Sequence, residues 1–161
     1  MIRPAHPNEF PFLTQLWLAS SILCHPFVNP IFWKLQAEAM CHNYLPVSET
    51  YCFYEEGNPE PLAFASMEDN FLAALFVQPG WEGKGIGSKL LAHCQSLKSY
   101  LLLTVYQKNS MAYDFYIKHH FIPIGKQVEP ITKEVEILMQ FTPTELSLSS
   151  PQAEVVLLPK S

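Results

Sequence analysis

Four of the six glycines of this chain fall in one short run, Gln78-Pro79-Gly80-Trp81-Glu82-Gly83-Lys84-Gly85-Ile86-Gly87-Ser88. The almost wholly apolar run Phe71 to Val77 precedes it, and a helical pattern with Ile86, Leu90, Leu91, Cys94 and Leu97 on one side follows. Glycine lets the backbone approach a ligand closely and reach positive φ. The first amides of a helix have no internal partner, and the helix dipole adds partial positive charge there. A strand, a glycine loop and a helix in this order either only turn the chain into the helix or make a phosphate site, and the three alternate glycines after a buried strand favour the phosphate site. A hydrogen bond to a charged group contributes about 1.5–3 kcal/mol, so several such bonds would hold a pyrophosphate firmly. A Walker loop needs GxxxxGK followed by Ser or Thr, which is missing here. A dinucleotide fingerprint needs GxGxxG, and Gly83-Lys84-Gly85-Ile86-Gly87-Ser88 puts its last glycine out of step. No βαβ series precedes the loop either.

Other residues carry chemistry only conditionally. Asn109 stands where a helix over Ser110 to His119 would need its N-cap. Tyr116 on that helix reads by position as an amphipathic core residue whose phenol, with a pKa of about 10, is protonated at neutral pH. Glu68 and Asp69 lie at a turn before Phe71, where they are either solvated or near enough to take a proton through water. His25, Phe27 and Trp33 either shape a pocket or belong to the core. The six histidines show no HExxH or similar spacing, so no metal site is expected. Cys24, Cys41, Cys52 and Cys94 form no CxxC pair and lie in apolar or helical stretches, which predicts reduced core thiols. Net charge is −5 and Arg3 is the only arginine, so a nucleic-acid partner is not expected. No run of about 18 apolar residues points to a membrane span, and Met1 to Pro11 does not read as a signal peptide. The expected location is the cytoplasm. The sequence is equally compatible with a monomer and a homodimer.

The elements that must position these groups follow from periodicity. Asn8 would cap a first helix with Phe12, Leu13, Leu16 and Trp17 on one face, and Ser21 to Pro30 would be a loop. Asn29-Pro30 starts a second helix, with Phe32, Leu35, Gln36 and Ala39 on one face and its end near His42. Strands are predicted at Tyr51 to Tyr54, Leu62 to Met67, Phe71 to Val77, Leu101 to Tyr106, Phe121 to Val128 and Glu134 to Phe141. Residues 1–141 would form one domain and 142–161 a tail, within which Val155 to Leu158 either adds an edge strand or stays mobile.

Two ordered blocks resemble a known family. Glu82-Gly83-Lys84-Gly85-Ile86-Gly87 resembles motif A of the GNAT superfamily, Q/R-x-x-G-x-G/A. Leu103-Thr104-Val105-Tyr106-Gln107-Lys108-Asn109, followed by Ala112, Phe115-Tyr116 and Phe121, is similar to its L-x-V-x-x-x-N-x-x-A-x-x-F-Y-x-x-x-x-F block. His25-Pro26-Phe27, Phe71-Leu72-Ala73-Ala74 and Val105 to Asn109 resemble the small bacterial YiaC-like acetyltransferases within it. The resemblance implies an α/β (α+β) fold: a mixed, mostly antiparallel sheet of six to seven strands, flanked by about four helices. Its central strands would splay near Val77 and Val105 to form a cleft for acetyl-CoA. It further implies direct transfer of the acetyl group to a primary amine, on a protein lysine or a small molecule, in a ternary complex. Gly83, Lys84, Gly85, Ile86, Gly87 and Ser88, with Glu82 beside them, would take the pyrophosphate. A backbone amide near Phe76 or Val77 would polarise the thioester carbonyl. Asn109 would help seat the cofactor, Tyr116 would protonate the departing thiolate, and His25, Phe27 and Trp33 would shape the acceptor pocket.

The chain departs from the pattern in three places. Glu82 stands where Gln or Arg is usual, and a carboxylate there repels pyrophosphate unless it turns away or pairs with Lys84. His120 stands where glycine commonly precedes the phenylalanine. The central strand, Leu72-Ala73-Ala74-Leu75, lacks a glutamate base, which leaves Glu68 as the first candidate for the amine's proton, ahead of Asp69, His25 and His42. An alternative function is a non-catalytic acetyl-CoA sensor with the same fold.

Overall fold

The computed structural model describes residues 1–143. The strands are β1 (Ile2–Pro4), β2 (Glu49–Phe53), β3 (Ala63–Glu68), β4 (Phe71–Val77), β5 (Leu101–Tyr106), β6 (Phe121–Val128) and β7 (Val135–Phe141). The helices are α1 (Phe10–Cys24), α2 (Pro30–Lys34), α3 (Ala37–Ala39), α4 (Ile86–Leu97) and α5 (Ser110–Lys118). One seven-stranded sheet has the order β1-β2-β3-β4-β5-β7-β6. Every neighbouring pair is antiparallel except β4 and β5. This is the mixed, mostly antiparallel sheet expected from the sequence. The expected tail from residue 144 onward, with its Val155 to Leu158 segment, lies outside the described residues.

Side chains alternate across the sheet and separate two cores. Ala63, Ala65 and Met67 of β3 pack with Leu90, Leu91 and Cys94 of α4. Phe64 of β3 and Ala74 of β4 face the other way, against Leu13, Leu16 and Trp17 of α1. Full burial of a side chain such as Phe64 or Leu90 contributes about 1.5–3 kcal/mol. The chain thus has an α1 face and an α4 face.

Several boundaries differ from the sequence expectation. β1 was not expected, because three residues ending in proline carry no period; as an edge strand it tolerates Pro4. Asn8 does not cap α1 but sits inside a short 3-10 turn, Pro7–Glu9, while the Glu9 carboxylate reaches back to the His6 N–H at 2.8 Å. α1 runs on to Cys24 through the stretch expected to be loop, because Ser20 and Ser21 are buried against the core. Asn29 does cap α2, its Oδ1 accepting from the Ile31 N–H at 3.0 Å. The second helix then breaks. Leu45 N–H bonds to Met40 C=O across a π turn, Met40–Tyr44, which brings these two residues, five apart, to the same buried face. Cys52 and Cys94 are buried free thiols as expected, but Cys41 is half-buried and Cys24 is exposed at the end of α1.

Candidate active site

β4 and β5 run side by side for only one register pair, Phe71 with Leu102, joined by the Leu102 N–H to Asn70 C=O bond at 2.8 Å. Beyond it the strands part, so the later residues of β4 border a gap. The register with β3 decides which amides face that gap. Gln78 N–H donates to Leu62 C=O at 2.7 Å, and Ala63 is paired with Val77. In an antiparallel ladder bonded pairs alternate with unbonded ones. Phe64–Phe76 and Ser66–Ala74 are then the bonded pairs, and Leu75 and Val77 turn their N–H and C=O groups to the gap. Of the two amides singled out in the sequence, Val77 faces the gap and Phe76 faces β3. Leu75 was missed, since no residue type announces the phase of a ladder. One further irregularity lies upstream: the register steps from Ser66–Ala74 to Met67–Leu72, which leaves Ala73 as a β-bulge.

The glycine loop closes the wide end of the gap. Gly80, Gly83 and Gly85 have φ of 93°, 76° and 81°, conformations that cost a side chain about 1–2 kcal/mol. Gly85 is the N-cap of α4 and supplies no side-chain partner, so the amides of Ile86, Gly87 and Ser88 are left for a ligand. Glu82 turns back on the loop: its Oε2 accepts from the Gly80 N–H at 2.8 Å. Lys84 does not pair with it but lies over the Trp81 ring, 4.8 Å from the centroid. A Cβ placed on Gly87 would sit 3.6 Å from both Phe115 Cζ and Val77 Cγ2, so β4, α4 and α5 converge at that point. Ser88 Oγ lies 3.0 Å from His119 Nε2, and burial lowers the pKa of that imidazole.

α5 carries Tyr116 directly after β5. Its ring packs edge-on against Phe115 at 5.4 Å and Phe121 at 5.5 Å. That enclosure pushes the phenol above its ordinary pKa, so it is protonated at neutral pH. Asn109 is the N-cap of α5, Oδ1 accepting from the Ala112 N–H at 3.3 Å. Its Nδ2 lies 3.3 Å from His25 Nε2, while His25 Nδ1 is 2.7 Å from Ser21 C=O. A carbonyl only accepts, so Nδ1 carries the proton and Nε2 takes the Asn109 N–H. His25 stacks on Trp33 at 4.9 Å and meets Phe27 at 5.7 Å and Tyr106 at 5.3 Å. The structure therefore brings the three expected pocket residues together. His25 and Trp33 are buried and Phe27 is half-buried, and the box ties the end of α1 to the start of α5.

Glu68 lies elsewhere on the α1 face. It is in register with Phe71, four residues before Leu75. The bulge at Ala73 takes up one residue, so the span is that of Glu68 to Ala65 on β3, three residues or roughly 10 Å at about 3.3 Å each, and an intervening water would have to link Glu68 to an amine at Leu75. It lines a cleft whose walls are Trp17, Met40 and Tyr44 and whose floor includes Ala73. None of these four stood out as a site residue in the sequence; Trp17 read as an ordinary helix-face residue, and Tyr44 lay beyond the expected end of the second helix near His42. Among the described residues no three His, Cys, Asp or Glu side chains come together as a metal site, and no helix is long and apolar enough to cross a membrane.

Comparison with known proteins bears on this arrangement. The acetyltransferase (GNAT) domain profile matches residues 47–123. Peptidyl-lysine N-acetyltransferase YiaC of Escherichia coli (strain K12) is 38% identical over 117 residues, which span 72% of this chain and 79% of that protein. The chain belongs to the GNAT acetyltransferase family. The solution structure of apo-form YjaB from Escherichia coli superposes on this acetyltransferase with a TM-score of 0.76, covering 88% of this chain and 96% of that one at 23% identity. A putative streptothricin acetyltransferase from Bacillus anthracis, solved in complex with acetyl coenzyme A, covers 60% of this chain and 64% of its own at a TM-score of 0.53 and 18% identity. In this GNAT enzyme the profile match takes in β4, the glycine loop, α4, β5 and α5.

Proposed function

We propose that this acetyltransferase moves the acetyl group of acetyl-CoA to a lysine side chain of a protein, by direct attack within a ternary complex. The observation that carries the reading is the gap between β4 and β5, bordered by the amides of Leu75 and Val77 and closed by the glycine loop. The loop geometry suits a pyrophosphate on the amides of residues 83–88, with Asn109 near the other strand. A pantetheine arm along β4 would pair with the outward groups of Leu75 and Val77 as an added strand does. The same amides would stabilise the charge that develops on the thioester oxygen. As the amine nitrogen bonds to the carbonyl carbon, the C–S bond breaks, and the Tyr116 phenol gives its proton to the departing sulfur. The amine's own proton leaves through water. Lysine as acceptor is supported by the name of the YiaC relative, a peptidyl-lysine enzyme, and the cytoplasm is the compartment where such an acceptor and acetyl-CoA meet.

The test is mass spectrometry of lysine peptides incubated with the enzyme and acetyl-CoA. Acetylation confined to the lysine side chain is expected. Calorimetric binding of acetyl-CoA with no acetylated peptide or protein would contradict the reading and favour a sensor.

A further inference from the structure

The cleft between α1, the π turn and the β3–β4 bulge carries one charge, and it is not neutralised. Gln36 Nε2 bonds to Phe32 C=O at 2.8 Å, Ser48 Oγ to Tyr44 C=O at 2.7 Å, and Ser66 Oγ to Thr50 Oγ1. The side chains of Gln36, Ser48 and Ser66 are thus already engaged within the protein. Glu68 is half-buried there and, among the described residues, has no hydrogen bond and no ion pair. A carboxylate facing the rings of Trp17 and Tyr44 and the thioether of Met40 is complementary to an organic cation with an apolar stem.

We propose that this cleft is a docking subsite for a second positive charge of the acceptor, a lysine or arginine side chain near the lysine that is acetylated. The inference rests on the acetyl-transfer reading, which places the reacting carbonyl at Leu75 and Val77. Glu68, Ser66 and Phe64 share the α1 face, so cleft and gap are reached by one ligand lying across that face. The roughly 10 Å between Glu68 and Leu75 along the sheet is too long for the reacting amine to be held at both. It suits two side chains of one extended peptide, which advances about 3.3–3.6 Å per residue. The second cation then lies about two to four residues from the target lysine. The net charge of −5 acts in the same direction, favouring a basic segment over a neutral one.

The test uses two peptides with one target lysine each, identical except for arginine or glutamine three positions away, with a free polyamine as a third acceptor. The wild type is expected to favour the arginine peptide about tenfold or more in kcat/KM, equivalent to about 1.4 kcal/mol. Glu68→Gln and Tyr44→Leu each bring that ratio close to one, whatever happens to the overall rate. An unchanged ratio in Glu68→Gln, or no preference in the wild type, overturns the proposal. A Glu68-dependent preference for the polyamine over both peptides overturns the peptide source. Calorimetry of the arginine peptide separates the two levels: Glu68-dependent binding without turnover keeps the subsite and removes the acetyl-transfer reading.

Discussion

In the proposed mechanism Tyr116 is the acid, a role its surroundings suit by keeping the phenol protonated. Burial against Phe115 and Phe121 raises its pKa, so loss of this proton does not limit the rate anywhere near neutral pH. Glu82 is subtler. Its carboxylate holds the Gly80 N–H, a contact that the amide oxygen of glutamine keeps without the charge. Glu82→Gln is therefore expected to tighten acetyl-CoA about fivefold, close to 1 kcal/mol of removed repulsion; weaker binding in calorimetry would contradict this. His120 has a φ of 72°, the conformation for which glycine is usual, as its departure from the family pattern anticipates. His120→Gly should raise stability in urea by about 1 kcal/mol, since relief of the left-handed strain exceeds glycine's entropic cost.

At the scale of elements, α5 depends on its first residue. Asn109 satisfies the Ala112 N–H and also meets His25. Asn109→Ala should cost about 1–2 kcal/mol of stability, and Asn109→Ser, which caps but is too short to reach His25, should recover most of that loss in the same melt. Periodicity made α4, α5, β5 and β7 legible, because their apolar positions repeat over two or more turns or pleats. It failed for β1, which is too short to show a period, and for the segment after Lys34. There the spacing of Phe32, Leu35, Gln36 and Ala39 implies a straight helix, yet the π turn shifts the buried face to Met40 and Leu45, leaving Leu35 79% exposed. The same shift places Met40 and Tyr44 in the cleft with Trp17. The glycine loop was legible because its function needs a rare residue type at set positions. The bulge at Ala73 and the outward amides of Leu75 and Val77 were not, because any residue can supply a backbone group.

The whole molecule is held at its N-terminal edge by a charged cluster remote from the gap. Arg3 pairs with Glu9 at 3.1 Å, lies over the Tyr54 ring at 4.0 Å, and Tyr54 donates to Glu9. Burial acts to raise the Glu9 pKa, but the hydrogen bonds from Tyr54, His6 and Arg3 outweigh it and hold the carboxyl below its ordinary value. A lowered folded pKa contributes stability above the unfolded pKa of about 4.3, and that contribution is lost as pH falls through the folded value. Chemical denaturation across pH should show the wild type about 1 kcal/mol above Glu9→Gln at neutral pH, with the difference closing in acid. Equal curves would remove Glu9 from the account of stability.

The proposed transfer depends on how the sheet opens. Parallel pairing that stops after Phe71 and Leu102 leaves a gap at which β4, α4 and α5 meet beside Gly87. The most direct measurement is acetyl-CoA-dependent thiol release with a lysine peptide, for the wild type and Tyr116→Phe. The account predicts a kcat lower by about 10²-fold or more in the variant, in the range of a lost general acid, with the KM for acetyl-CoA unchanged. An equal kcat in the two proteins would contradict the role of Tyr116, and thiol release absent from both would contradict acetyl transfer at this gap.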